Sequence, residues 1–153
     1  EKQKLKFSYN LREAQFSNYV REAEKKSGDS AENLIAILES RLDNVVYRLG
    51  FAVSRNHARQ AVGHGHFFVN GRRVNIPSCR VRKGDLISIR PGSAGKGIFM
   101  DLDLRLAKYA PPAWLSLDKN KREGEVLGTA SMSADSSLAQ DIKLKTIIEF
   151  YSR

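Results

Sequence analysis

His64 and His66 stand one glycine apart, and Cys79 is the only cysteine in the chain. They are the first candidates for chemistry, because imidazole and thiolate are common zinc ligands. A zinc centre takes four protein ligands, or three and a water, and structural sites usually pair them at spacings such as Cys-x-x-Cys. No carboxylate falls within fifteen residues of either histidine. No metal and no other cofactor is therefore expected. Cys79 as a nucleophile would need a base and an orienting carboxylate, yet residues 41–90 hold only Asp43 and Asp85. Asp43 reads as the structural partner of a nearby arginine. Gly63-His64-Gly65 matches neither Gly-rich phosphate-loop pattern. Catalysis is not expected, and the two histidines read as donors to phosphate or ribose.

The arginines carry more. Residues 41–90 hold ten basic and two acidic residues, a net of +8 out of +9 for the chain. Residues 1–40 balance seven against seven, and residues 91–153 set nine basic against eight acidic. Nine of the ten central cations are Arg, whose planar fork matches phosphate better than an ammonium does. Crowded like charges repel unless an anion neutralises them, so an anionic polymer is the expected partner. Arg55 and Arg59 are four apart and share a helix face with Gln60 beside them. Arg72 and Arg73 follow one turn; Arg80, Arg82 and Lys83 precede another. The aromatics of this patch are Phe67 and Phe68, at least one of them for the core, so no base-stacking platform is expected. Docking on folded RNA by shape and phosphate contact fits better.

These side chains need elements to hold them. Asn10 with Glu13 reads as a capping box, followed by Phe16, Tyr19, Val20 and Ala23 at helical spacing and Gly28 as the C-terminal stop. Asp29 caps a second helix. Its apolar stripe runs through Leu34, Leu38, Leu42, Val45 and Leu49 to Gly50, as one long helix or as two that abut near Ser40. Ser54 caps a short helix over 55–62, whose start also offers N–H groups to a phosphate. Phe67-Phe68-Val69 is a strand, Asn70-Gly71 a hairpin turn, and Arg72-Arg73-Val74 the return strand. Lys83-Gly84-Asp85 is a second turn, leading into the strand 86–89. Residues 91–95 read as a loop and 98–108 as a helix that Pro111-Pro112 ends. Residues 124–137, rich in Gly, Ala and Ser, read as a mobile surface loop. Asp141 caps a last helix, although 146–151 also reads as a strand.

Some classes fall away. A lone thiol fits a reducing compartment, no apolar run approaches the ~18–20 residues of a membrane span, and no secretory pattern opens the chain. Glu1 in place of Met reads as a missing native start. A DNA-reading helix-turn-helix is a rival, but the 55–62 helix is short and runs straight into a strand. An RNA-modifying enzyme carrying this module would need a catalytic domain for which 153 residues leave no room.

Ser40-Arg-Leu-Asp-Asn-Val-Val-Tyr-Arg-Leu-Gly50, Ala58-Arg-Gln-Ala-Val-Gly-His-Gly-His66 and Val69-Asn-Gly-Arg-Arg-Val-Asn-Ile-Pro77 closely resemble the RNA-binding module named after small-subunit ribosomal protein S-four. The opening Glu1-Lys-Gln-Lys-Leu-Lys6, Glu32-Asn-Leu34 and the closing Glu149-Phe-Tyr-Ser-Arg153 resemble that bacterial-type ribosomal family itself, beyond the shared module. The resemblance implies an α+β fold. Both chain ends, 1–40 with 141–153, would form a helical domain. Residues 41–140 would be inserted between them, with the module over about 41–105 as a helix-turn-helix followed by a small antiparallel sheet.

It also implies a structural constituent of the small ribosomal subunit with no enzymatic activity, located in a cytoplasmic or organellar ribosome. Such a protein would bind the 5′ domain of small-subunit rRNA at a multi-helix junction, nucleate assembly of the subunit body and support accurate translation. Neighbouring small-subunit proteins would be partners, with mRNA near its channel into the subunit. In some bacteria the family also represses translation. By matching positions, the rRNA contacts would include Lys2, Lys4, Lys6, Arg55, Arg59, Gln60, His64, Arg72 and Arg73; Arg12, His66, Arg80, Arg82 and Lys83 complete the expected rRNA-binding set. Arg41 and Asp43 sit where the family has a structural turn. Two departures stand out: the family's basic N-terminal segment, zinc-bearing in some members, is not seen, and 124–140 lacks the family's usual Lys and Arg.

Overall fold

The structure, a computed structural model, describes Tyr9 and residues 11–130. Lys2, Lys4, Lys6, the Asn10 cap, the end of the Ser/Ala/Gly-rich segment from 131 and the helix expected at Asp141 lie outside the described residues. The chain divides into two compact units, one ending at Glu39 and taken up again at Ala130, the other Ser40–Thr129.

In the first unit, helix α1 spans Glu13–Lys25 and buries Phe16, Tyr19, Val20 and Ala23, the stripe expected from their spacing. It starts later than the proposed capping box allows. Arg12 is the N-cap, with extended backbone and no side-chain cap bond, and its carbonyl accepts the Phe16 N–H at 2.9 Å. Glu13 is therefore the first helical residue and serves the positive end of the helix dipole. The helix ends at Lys25, with Lys26 extended, so Gly28 (φ +96°) bends the connection instead of closing the helix. Helix α2, Ser30–Glu39, is capped by Asp29, whose Oδ1 accepts the Ala31 N–H at 2.8 Å. Asn33 Nδ2 donates to the Ala23 carbonyl at 3.0 Å and fastens α2 to the end of α1. The Tyr9 hydroxyl donates to the buried Glu39 carboxylate.

The apolar stripe that crosses Ser40 belongs to two helices. Helix α3, Leu42–Arg48, begins after an extended Arg41. The break is enforced from outside: the Leu42 N–H donates to the Cys79 carbonyl at 2.7 Å, Asp43 N–H to Pro77 at 3.2 Å, and Val81 N–H to Ser40 at 2.8 Å. A continuous helix would spend those groups internally. Gly50 (φ +87°) closes α3, with Gly50 N–H on Tyr47 and Phe51 N–H on Val46, the paired bonds of a Schellman turn. Helix α4, Arg55–Gly63, packs on α3 through Ala58, Ala61 and Val62. Ser54 caps it by accepting the His57 N–H at 3.0 Å.

Among the described residues the sheet has five antiparallel strands in the order β2-β1-β3-β5-β4. They are β1 Phe67–Val69, β2 Arg72–Arg73, β3 Leu86–Ile89, β4 Leu115–Asp118 and β5 Glu123–Val126. The last two correct the sequence reading, which left 115–118 unassigned and placed 124–126 in a mobile loop. β5 pairs with both β3 and β4. Its Gly124 faces Leu49 so closely that a Cβ there would lie 2.4 Å from Leu49 Cδ1. The missing side chain makes room for α3, and that is why the strand looks like a loop. The helix expected over 98–108 is also shorter: a 3-10 turn at Gly97–Phe99, then α5 over Leu102–Leu106. Another 3-10 turn, Pro91–Ser93, stands in the expected loop.

The core beneath the sheet gathers Leu42, Val46, Leu49, Phe51, Val62, Phe67, Ile87, Phe99, Leu102 and Leu106. Phe67 stacks on Phe51 at 6.1 Å and meets Phe99 edge-on at 5.9 Å. Each such side chain contributes about 1.5–3 kcal/mol on burial, and together they fix the surface that carries the arginines.

Candidate nucleic-acid interface

The interface begins with a buried ion pair. Arg41 Nε donates to Asp43 Oδ1 at 3.1 Å and Nη2 to Oδ2 at 2.9 Å, with both side chains almost wholly out of solvent. Asp43 Oδ1 also accepts the Asn44 N–H at 2.7 Å. Asn44 in turn accepts from Arg55 Nε at 2.9 Å, and the Arg55 guanidinium lies over the Tyr47 ring, 4.8 Å from its centroid. Helix α3 thus holds Arg55 in one orientation at the start of α4. Arg59, half-buried, and Gln60, exposed, follow on the same helix.

The other end of α4 is tied to the basic hairpin. His64 is the C-cap and Gly65 turns the chain with φ +78°. Arg73 crosses to this turn, Nε donating to the Gly65 carbonyl at 3.2 Å and Nη2 to that of His64 at 3.3 Å. A Cβ on Gly65 would fall 2.3 Å from the Arg73 guanidinium. Arg73 therefore complements the negative end of the α4 dipole, while Arg72 beside it is exposed with no partner among the described residues.

The Asn70-Gly71 turn (φ +53° and +78°) is clasped to the second turn. Asn70 Nδ2 donates to Asp85 Oδ1 at 2.9 Å, Asn70 Oδ1 accepts the Leu86 N–H at 2.9 Å, and Asp85 Oδ2 accepts the Arg82 N–H at 2.8 Å. The tip of the basic hairpin is thereby held beside exposed Arg82 and Lys83. Arg80 is exposed on the segment that bridges to Arg41.

Arg90 and Lys96, absent from the expected contacts, lie near His66. Arg90 N–H donates to the His66 carbonyl at 2.8 Å, and Arg90 Nε donates to the buried Ser93 hydroxyl at 3.1 Å. His66 Nδ1 meets that hydroxyl at 2.7 Å. Burial holds the His66 imidazole below its usual value, and the positive field of Arg90, His64, Lys96 and Arg73 pushes it the same way. The available signal was register: Phe67 pairs with Ile89, so the residue before one strand sits opposite the residue after the other.

The α4 side chains, hairpin and second turn share one unit. Arg12 belongs to the other unit, as the exposed N-cap of α1. Among the described residues no cluster of His, Cys, Asp or Glu is placed to hold a metal ion, and no helix is long and apolar enough to cross a membrane.

Residues 40–87 match the S4 domain family, and residues 1–39 match the ribosomal protein S4/S9 N-terminal domain. The chain is similar along its whole length to the small ribosomal subunit protein uS4 of Syntrophomonas wolfei, 47% identical over 153 residues and 72% of that protein. The uS4 of Halothermothrix orenii shows the same identity and coverage. That of Thermotoga maritima is 45% identical over 160 aligned residues, covering 99% of this chain and 72% of the relative.

Proposed function

The chain belongs to the uS4 family of small ribosomal subunit proteins, and from that premise we propose that it is a structural, non-enzymatic constituent of the small subunit that binds rRNA through its basic unit. The observation that carries this is the clasp between the two turns, which fastens the hairpin bearing Arg72 to the turn bearing Arg82 and Lys83, all three exposed. Phosphate contacts need such placement, because they fix register and orientation on a duplex. Arg55, Arg59, Gln60, His64, His66, Arg73 and Arg80 extend this face. Arg12 and the lysines at 2, 4 and 6 would add contacts from the first unit. The RNA we assign is the 5′ domain of small-subunit rRNA at a helical junction, bound early enough to nucleate the subunit body. Neighbouring small-subunit proteins, mRNA at its channel and a part in accuracy belong to the same reading.

Filter binding to a 5′-domain rRNA fragment across a salt series tests it. With ~6–8 phosphate contacts, log K falls against log salt with a slope of about −4 to −7. A flat response, or equal affinity for an unrelated RNA duplex, overturns the assignment.

A further inference from the structure

An open groove of about 330 Å³ lies beside the arginine-bearing start of α4. Its walls include Tyr47, Arg48, Gly50, Val53, Arg105 and Tyr109. Both tyrosines are half-buried, and Val53 is 65% exposed at the rim. Counting aromatics only in the hairpin, at Phe67 and Phe68, passes over these rings.

We propose that this groove is a subsite for one unpaired RNA base, stacked against the tyrosines with its flanking phosphates on the surrounding guanidiniums. The proposal rests on the RNA-binding reading and adds a second mode of contact to it. Three features support it. The volume sits near the lower end of the ~300–1,000 Å³ of ligand sites, suited to one flat heterocycle. The rings are held firmly: Arg55 and Arg48 lie 4.8 and 5.9 Å from the Tyr47 centroid, and the Tyr109 hydroxyl donates to the Arg48 carbonyl at 2.5 Å. A ring ordered in advance loses little freedom when a base stacks on it. Finally, the charges converge. Arg105 Nη1 donates to the Gly50 carbonyl at 3.3 Å and its Nε pairs with Asp101 at 3.3 Å, so a second guanidinium besides that of Arg48 is fixed in the groove lining. Burial raises the Tyr109 phenol above its usual value, so the ring stays neutral near phosphate.

The floor explains why the groove persists. Gly50 would place a Cβ 2.9 Å from Leu106 Cδ2 and 3.0 Å from the Tyr109 ring. Any larger residue would push Tyr109 outward and fill the space.

The test uses the full chain, a labelled single-stranded hexaadenylate, a hexamer of the same ribose-phosphate backbone without bases, and the 5′-domain rRNA fragment. Hexaadenylate should bind roughly five- to hundredfold tighter than the abasic strand, the range for stacking one base on an aromatic ring. Tyr47→Leu should erase that preference and Tyr47→Phe should keep it. Independently of any variant, ultraviolet crosslinking of a thiouridine-bearing hexamer to the unmodified chain should place the adduct on the peptide holding Tyr47 or Tyr109. Equal affinity for the two hexamers, a preference that survives Tyr47→Leu, or adducts confined to other peptides would overturn the subsite. If those results come with intact rRNA binding, the subsite alone fails. Loss of rRNA binding as well removes the RNA reading beneath it.

Discussion

Arg41 and Arg72 are the same residue type in the same unit, put to opposite uses. Arg41 is 1% exposed and closed by a two-bond pairing with Asp43. Arg72 stands exposed at a hairpin tip, with no partner among the described residues. A buried charge is tolerable only when paired, so Arg41 is committed to the fold. An exposed unpaired charge adds little stability and is available to a polyanion. Charge counting gives both one unit of +1; burial decides which is architecture and which is binding surface.

Asp43→Ala should break the comparison hardest. It removes both Asp43 bonds to the buried Arg41 and the acceptor for the Asn44 N–H, and we expect a loss of ~3–5 kcal/mol, read from the denaturant midpoint. Replacing Arg41 and Asp43 together by apolar residues of similar size should be far milder. A double variant as damaging as the single one would mean that the pair is not the fold's reason for holding Arg41.

Arg72→Ala with Arg82→Ala is the mirror experiment. RNA affinity should fall by ~1–3 kcal/mol and the salt slope should flatten by about one per lost phosphate contact, while the melting temperature stays put. A change in melting temperature would show those side chains to be structural.

Arg55 lies between the extremes. Arg55→Ala should weaken RNA binding and also cost ~1–2 kcal/mol of stability, because the Arg55–Asn44 hydrogen bond is lost in a buried setting. Loss of affinity with no loss of stability would move Arg55 into the Arg72 class.

The smallest effect concerns His66. Its imidazole is held below the usual ~6.5 by burial and by Arg90, His64, Lys96 and Arg73. The folded state therefore binds its proton less well than the unfolded state. Stability contributed by the neutral ring is present above about pH 6.5 and declines as pH falls toward the lowered value. Bound phosphate reverses the field, so RNA affinity should rise by less than tenfold over the same descent. His66→Gln should flatten that rise; an unchanged profile would take His66 out of the interface.

Much of the fold is legible in the sequence wherever one local signal suffices. Asp29 and Ser54 are short polar residues that satisfy an orphan N–H at the start of a helix. Asn70-Gly71 takes left-handed backbone at both positions, which few other pairs tolerate. What a local signal leaves open or misses depends on partners far along the chain. The apolar stripe allows one helix or two abutting near Ser40, and the carbonyls at 77 and 79 decide for two. The β4–β5 hairpin has no Asn-Gly: it turns through Asp118, whose Oδ1 accepts from Asn120 and Lys121, and through Arg122 at φ +51°. The site followed the same rule. In the proposed site, the placement of Arg72, Arg82 and Lys83 beside turns is legible from turn chemistry, whereas that of Arg90, Lys96 and the Tyr47 groove depends on strand register and on residues near 105.

Gly124 has a further consequence, in the order of assembly. Strand β5 brings no side chain of its own to the place where Leu49 sits. An isolated 113–127 hairpin would expose a notch and little to hold it shut. Its stability then depends on α3 delivering Leu49, so β4 and β5 should acquire amide protection later than β1 and β2 during refolding. Pulsed hydrogen exchange would register that sequence, and simultaneous protection of both edges would exclude it.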